Sequence, residues 1–457
     1  MRPSAVSGQA SAVCCSAWVA AIPKTKRTAS NILALSLALL STACGGDEPT
    51  VANNQPWQGK TVTEGNVTTV RTESGSVWQG TARLVEELSI GEEFGEEPYM
   101  LGRISAVAAT DDRIYALDAQ VPVVRVYDQE GTHVFDIGRG GQGPGEFEQP
   151  TFMGLDRLGN IFVIGQGEIE VFSSEGDHLD TWGLEEISSF AWFNTANVGL
   201  DSTVYFPVVL EREGMNPGTW KVGYAEISEG ANEGTRPLPD FNYEAPVVEI
   251  VGRTEEYVTV ASIIPAFVPR RAWAISQLGS IVSGSGDQYR FEVRHSDGRT
   301  LLIEKTWERV PVESAEGAWY RDLLRAAVSD ADEVSGWDPD SGLPSHKPAF
   351  EQLVPDANGR IWVIRAGSGI RLPDCNEDPS EADEFRAEPC WNDSVLIDVF
   401  DEQGRYLGPV EAPIELYGMT PRTIQPRPFI RDDVLVAAVE DDLGTIKVKR
   451  YRLVLPN

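Results

Sequence analysis

The chain has 457 residues, and 70 acidic against 38 basic side chains leave it a net charge of −32. So acidic a surface repels polyanions, which excludes nucleic acid as a partner and disfavours an anionic membrane surface beyond any separate anchor. Most of these carboxylates read as a solvated surface that keeps the protein soluble.

In chain order, the first feature is a targeting segment. Lys24, Lys26 and Arg27 precede an apolar run from Ile32 to Leu40. That run is too short to span a bilayer as a stable helix but suits the core of a signal peptide. It ends in LLSTACGG, which resembles a bacterial lipoprotein processing site with Cys44 as the acylated first residue. Ser41 departs from the usual Leu there, and an ordinary cleaved signal with a chance cysteine is the alternative. Gly45 after the cysteine resembles outer-membrane lipoproteins more than inner-membrane ones. Residues 1–43 hold four basic and no acidic side chains, so the mature chain is more acidic still.

Residues 44–76 contain few large apolar groups and many Gly, Asn, Thr and Glu, a composition expected of a flexible tether. TARLVEELSIG at 81–91 then alternates like the outermost strand of a sheet. From residue 100 onward one hairpin grammar recurs six times. Its second strands read DRIYAL (112–117), GNIFVI (159–164), STVYFP (202–207), GSIVSG (279–284), GRIWVI (359–364) and DDVLVA (432–437). Partner strands follow, often closing on an acidic-x-x-Gly turn, as in VVRVYDQEG (123–131) and VLIDVFDEQG (395–404). Alternation between turn residues, repeated radially, predicts an all-β fold: a six-bladed β-propeller over 77–457. The last blade lacks a fourth strand of its own, so 81–91 is expected to complete it and close the ring.

Residues 138–182, with a Gly-rich loop, GPGEF, Pro, a strand, Asp-x-x-Gly-Asn and a second strand ending in Val-Phe, closely resemble an NHL-type propeller repeat. The resemblance thins elsewhere and implies an NHL-like propeller. Intervals between the repeated strands lengthen after the third, which predicts insertions near 207–260, 310–348 and 366–394. In the second, Trp319 with Leu323 and Tyr320 with Leu324 and Val328 fall at helical spacing, so one short helix is expected over 314–328. In the third, Cys375 and Cys390 form the one even cysteine pair of the mature chain, and in an exported protein they most simply make a disulfide worth on the order of 3 kcal/mol.

Candidate catalytic motifs fail on context. Gly138, Gly140 and Gly143 satisfy G-x-G-x-x-G, but a strand follows them instead of a phosphate-binding helix. The Asp run at 330–340 lacks the spacing of a calcium loop. Of the four histidines, His133, His178 and His295 belong to outer strands and turns and His346 to a linker, away from the channel. Lyases on NHL-like propellers gather His and metal around that channel, and this sequence shows no such gathering. Innermost strands are expected just ahead of each repeated strand, and Arg103, Arg270, Arg271 and Arg427 fall near their entrances, with Arg365 turning toward the same face. These five arginines are the candidate ligand-binding mouth; pairing with neighbouring carboxylates is the structural alternative, and Trp273 and Phe350 read as core.

The leading expectation is a non-catalytic, monomeric, lipid-anchored propeller of the bacterial envelope, facing the periplasm or exterior. It would need no cofactor and would bind a peptide, glycan or envelope protein. The alternative is a lyase or hydrolase using a divalent metal on the propeller axis.

Overall fold

One turn chemistry recurs around the molecule. At Asp128, Asp156, Asp356, Asp401 and Asp441 a carboxylate oxygen accepts the backbone N–H groups two and four residues on, at 2.7–3.0 Å. The glycine three residues on takes a positive φ of 79–83° in all five, a conformation that a side chain would strain. Ser173 and Ser276 make the same pair of bonds through their hydroxyls. Acidic-x-x-Gly therefore marks turns because the side chain satisfies backbone donors that the reversal leaves open.

The computed structural model describes residues 55–456 except 166, 185–195, 212–219, 240–242, 244, 254–257, 330, 373–389, 414, 415, 417–425 and 442. The signal segment, Cys44 and Cys375 lie outside the described residues. The chain opens with a hairpin of β1 (Gln58–Glu64) and β2 (Val67–Ser74), followed by β3 (Ala82–Ile90). Blade one comprises β4 (Ile104–Ala109), β5 (Ile114–Asp118), β6 (Val123–Tyr127) and β7 (His133–Ile137). Blade two comprises β8 (Phe152–Leu155), β9 (Ile161–Ile164), β10 (Glu168–Phe172) and β11 (His178–Gly183). Blade three comprises β12 (Asn197–Val198), β13 (Val204–Glu211), β14 (Lys221–Ser228) and β15 (Ala231–Pro237).

After an inserted pair, β16 (Val248–Arg253) and β17 (Val258–Ile263), blade four follows with β18 (Ala272–Ile275), β19 (Ile281–Gly284), β20 (Arg290–Arg294) and β21 (Thr300–Lys305). Helix α1 (Ser314–Val328) and β22 (Glu333–Gly336) lead to blade five, made of β23 (Gln352–Pro355), β24 (Ile361–Arg371), β25 (Trp391–Phe400) and β26 (Tyr406–Glu411). Blade six has β27 (Phe429–Arg431), β28 (Val434–Glu440) and β29 (Ile446–Val454), and β3 pairs antiparallel with β29 as its fourth strand.

The six repeated segments are thus the second strands of six blades, and ring closure by the early strand is as expected. Apolar clusters fill every seam. Tyr115, Leu117, Met153 and Phe172 pack between blades one and two, and Phe291, Phe350, Val363 and Phe400 between four and five. Tyr127, Ala116 and Val436 pack blade one against blade six. Helix α1 forms over the residues its periodicity predicted. It buries Tyr320 and Leu324, and the Tyr320 ring meets Phe267 edge-on at 5.2 Å.

Two expectations need correction. Residues 58–74 are a hairpin, not part of a flexible tether: β2 pairs parallel with β21 and extends blade four to six strands. Blade four offers an open outer edge, so backbone hydrogen bonds and the burial of Val70 and Thr72 order a segment whose composition shows little apolar content. The first insertion also begins later than the expected residue 207, and it is joined to the second. Blade three's own strands run to Pro237, and β16 from the first insertion pairs with β22 from the second in one three-stranded sheet.

Candidate functional site

The propeller axis is narrow. Inner strands of all six blades converge on a cavity of about 80 Å³, walled by residues such as Ala108, Met153, Gly154, Val354 and Phe429. Gly154 packs so closely that a Cβ there would sit 2.6 Å from Val198. Polar groups at the axis join blades: Asn197 Nδ2 donates to the Ile275 carbonyl at 2.7 Å, Gln277 Nε2 to Leu155 at 3.3 Å, and Arg427 Nη2 to Trp273 at 3.4 Å. Burial pulls the Arg427 pKa below its ordinary value, with Tyr224 opposing that shift. A space this small is well below the few hundred Å³ that ligand clefts usually enclose.

The five arginines have different surroundings. Arg427 lines the axial cavity, while Arg103, Arg270 and Arg271 do not. Arg103 is exposed at the start of β4, with its backbone N–H donating to Asp118 Oδ1 at 3.2 Å. Arg270 and Arg271 are half-buried just before β18, each engaged with neighbouring groups. Arg365 departs altogether, since the pleat of β24 turns it into the seam between blades four and five. There Nε donates to the Ala349 carbonyl at 3.0 Å and Nη1 to Asp398 Oδ2 at 3.4 Å. The histidines keep to the outer strands and linker, His133 beside Asp136 and His178 beside Glu170.

The seam that receives Arg365 is the better-built site. Asp398, on β25 and 4% exposed, accepts from the hydroxyls of Tyr289 at 2.6 Å and Tyr406 at 2.5 Å, and from Lys305 Nζ at 3.1 Å. The Lys305 ammonium also lies 4.3 Å from the Tyr406 ring centre and 5.0 Å from that of Tyr289, within cation–π range. Burial alone would raise the Asp398 pKa, but Lys305, Arg365 and the two tyrosine hydroxyls outweigh it and bring the carboxyl down to about 2. Burial lowers Lys305, with Asp398 opposing, and burial raises both Tyr289 and Tyr406. At neutral pH Asp398 is therefore a fixed carboxylate and both tyrosines fixed donors, a set that holds charge in place rather than shuttling protons.

This cluster opens on a recess of about 470 Å³. Lys305, Thr306 and Trp307 form one wall, Tyr406 and Pro409 of β26 a second, and Thr72, Ser74 and Ser76 from the N-terminal hairpin a third. None of Lys305, Tyr289, Tyr406 or Asp398 was singled out from sequence. The available signal was an aspartate inside the apolar run VLIDVF, but its partners lie up to 109 positions away.

A second buried cluster holds α1 against blade five. Lys347 Nζ donates to Glu316 Oε1 at 2.9 Å and to Asp393 Oδ1, all three side chains being essentially inaccessible. Burial raises the Glu316 pKa, with Lys347 opposing. Cys390, just before β25, is 2% exposed.

A family profile described as a 6-bladed beta-propeller matches residues 96–195, which hold blades one and two. None of the curated proteins compared matches the sequence. Among solved structures, the chain is similar to a member of the duf4221 family from Bacteroides vulgatus, with 11% identity, TM-score 0.46, and 82% of this chain and 99% of that one covered. It is also similar to a candidate exported protein from Bacteroides fragilis, at 10% identity and TM-score 0.40, covering 81% and 94%. A third is virginiamycin B lyase from Staphylococcus aureus, at 9% identity and TM-score 0.36, covering 80% and 99%.

Proposed function

We propose that this chain is a non-catalytic, lipid-anchored propeller of the bacterial cell envelope that binds its ligand in the recess between blades four and five. The observation that carries the reading is a contrast between two sites. The axis encloses about 80 Å³, and among the described residues Asn197, Gln277 and Arg427 there each donate to a carbonyl of another blade. The recess encloses about 470 Å³, and its buried wall has a fixed charge. Site volumes of a few hundred Å³ suit a small molecule, a peptide end or a glycan terminus. Anchoring at Cys44 rests on LLSTACGG, and a Cys375–Cys390 bridge on the cysteine count in an exported chain.

The test combines ligand screening with two plugging variants. A panel of peptides, glycans and small metabolites is scored by shift in melting temperature on the purified protein, on Thr306→Trp, which fills the recess from an exposed position, and on Ala357→Phe, which enlarges a half-buried side chain lining the axial cavity. Hits lost in Thr306→Trp and kept in a folded Ala357→Phe support the recess. Hits lost only when the axis is filled, or stoichiometric metal with turnover of a hit, would replace this reading with the lyase or hydrolase one. Mass spectrometry of the mature N-terminus tests the anchor: any first residue other than a lipidated Cys44 refutes it.

A further inference from the structure

Within that reading, which it deepens, we infer that the recess takes a sugar acid: a hydroxylated ring bearing a single carboxylate. The first argument is charge. Asp398 faces two cations, Lys305 at 3.1 Å and Arg365 at 3.4 Å, so the buried cluster carries one uncompensated positive charge in a chain that is otherwise strongly acidic. Arg365 is consumed from within, by Ala349, Asp398 and the Glu308 carbonyl. Lys305 is not. Among the described residues its ammonium makes one hydrogen bond, to Asp398, and its remaining donors face aromatic rings and the recess it lines. A net charge held largely out of water is costly, and an anion reaching Lys305 from the recess would balance the second cation that Asp398 shares.

The rim then limits that anion to one charge. Glu73 and Glu308 both line the recess and are exposed at its edge; Glu73 is bridged to Lys60 at 2.6 Å, and Glu308 contributes its backbone oxygen to Arg365. A phosphate or a dicarboxylate would bring its second charge against these carboxylates, whereas a monocarboxylate presents its other end to them as neutral hydroxyls. The walls suit such an end. Thr306 supplies an exposed hydroxyl, Thr72, Ser74 and Ser76 supply hydroxyls that also bond Trp57, Gln58 and the Gln79 backbone, and Trp307 and Tyr406 supply ring surface, the pairing of hydrogen-bonding groups with aromatic faces that a hydroxylated ring requires.

The experiment is isothermal titration calorimetry of the full mature protein at pH 7 with D-glucuronate, D-glucose and inorganic phosphate as probes. Glucuronate is expected to bind, with glucose and phosphate at least about tenfold weaker. Thr306→Trp is expected to weaken glucuronate at least about tenfold while leaving the melting temperature unchanged, and Lys305→Met to abolish the preference of glucuronate over glucose. If Lys305→Met does not fold, Thr306→Trp alone decides. Equal binding of phosphate would make this a general anion site, and equal binding of glucose would remove the role of Lys305; either overturns the proposal. No heat with glucuronate, or heat unaffected by Thr306→Trp, overturns it as well. The broader reading survives those failures if another ligand from the screen is lost in Thr306→Trp, and falls separately if none is.

Discussion

Replacing Asp398 by Asn tests the buried cluster most directly, because it keeps the shape and removes the charge. Asp398 receives two tyrosine hydroxyls, an ammonium and a guanidinium. In the variant an amide faces Lys305 and Arg365, two buried cations with no carboxylate between them. Breaking a buried pair in this way costs about 3–5 kcal/mol. Part of that cost is readable by pH. The folded carboxyl titrates at about 2 against an ordinary 3.8, a shift worth about 2.5 kcal/mol. A depressed carboxyl pKa contributes stability that is fully present above the unfolded value and is lost as pH falls through the folded one. The wild-type protein should therefore exceed Asp398→Asn in stability by the full amount above pH 5, and the gap should narrow by about 2 kcal/mol as the pH drops from 5 to 2. Parallel urea denaturation of both proteins across that range measures the gap directly and cancels the other carboxylates. Equal stability at pH 7, or a gap that does not change with pH, would refute the account of Asp398 as a charge fixed by its partners.

Three further outcomes are expected. Deleting residues 45–76 should cost modest stability and remove one wall of the recess, whereas extending the deletion through 91 removes β3, with its pairing to β29 and its buried Leu84 and Ile90, and should destabilise sharply and promote aggregation. Differential scanning fluorimetry with light scattering checks this, and equal midpoints for the two truncations would contradict the closure described. Glu316→Gln should cost less in thermal unfolding than Lys347→Met, because it leaves Lys347 its Asp393 partner, whereas Lys347→Met leaves Glu316 and Asp393 without their shared cation. Non-reducing peptide mapping should recover Cys375 and Cys390 in one linked fragment, and two alkylatable thiols would rule the bridge out.

The repeat was legible because its determinants are local. An Asp such as Asp356 or Asp401 bonds the backbone two and four residues on, and the glycine between supplies the left-handed φ, so each turn is written in five consecutive letters. Period-two alternation then identifies the strands between turns, and the missing outer strand of blade six points to 81–91. Helix α1 was legible for the same reason, its apolar positions lying three and four apart. The arginine mouth was not resolved in this way. Arg365 and Arg427 both follow from strand placement, yet one turns into a seam and the other into the axis, because packing brings Arg365 to Asp398 on the adjacent strand of its own blade and Arg427 to the Trp273 carbonyl of blade four.

By itself the sequence determined the all-β class, the number of blades, the strand that closes the ring and the inserted helix, since backbone turns and pleat periodicity act over a handful of residues. Only the tertiary structure decided that the N-terminal hairpin joins blade four, that two distant insertions share a sheet, and that Lys305, Tyr289, Arg365, Asp398 and Tyr406 meet beside a recess. Those outcomes depend on an open sheet edge and on the desolvation of charges brought together across seams. Neither quantity exists until the blades have packed.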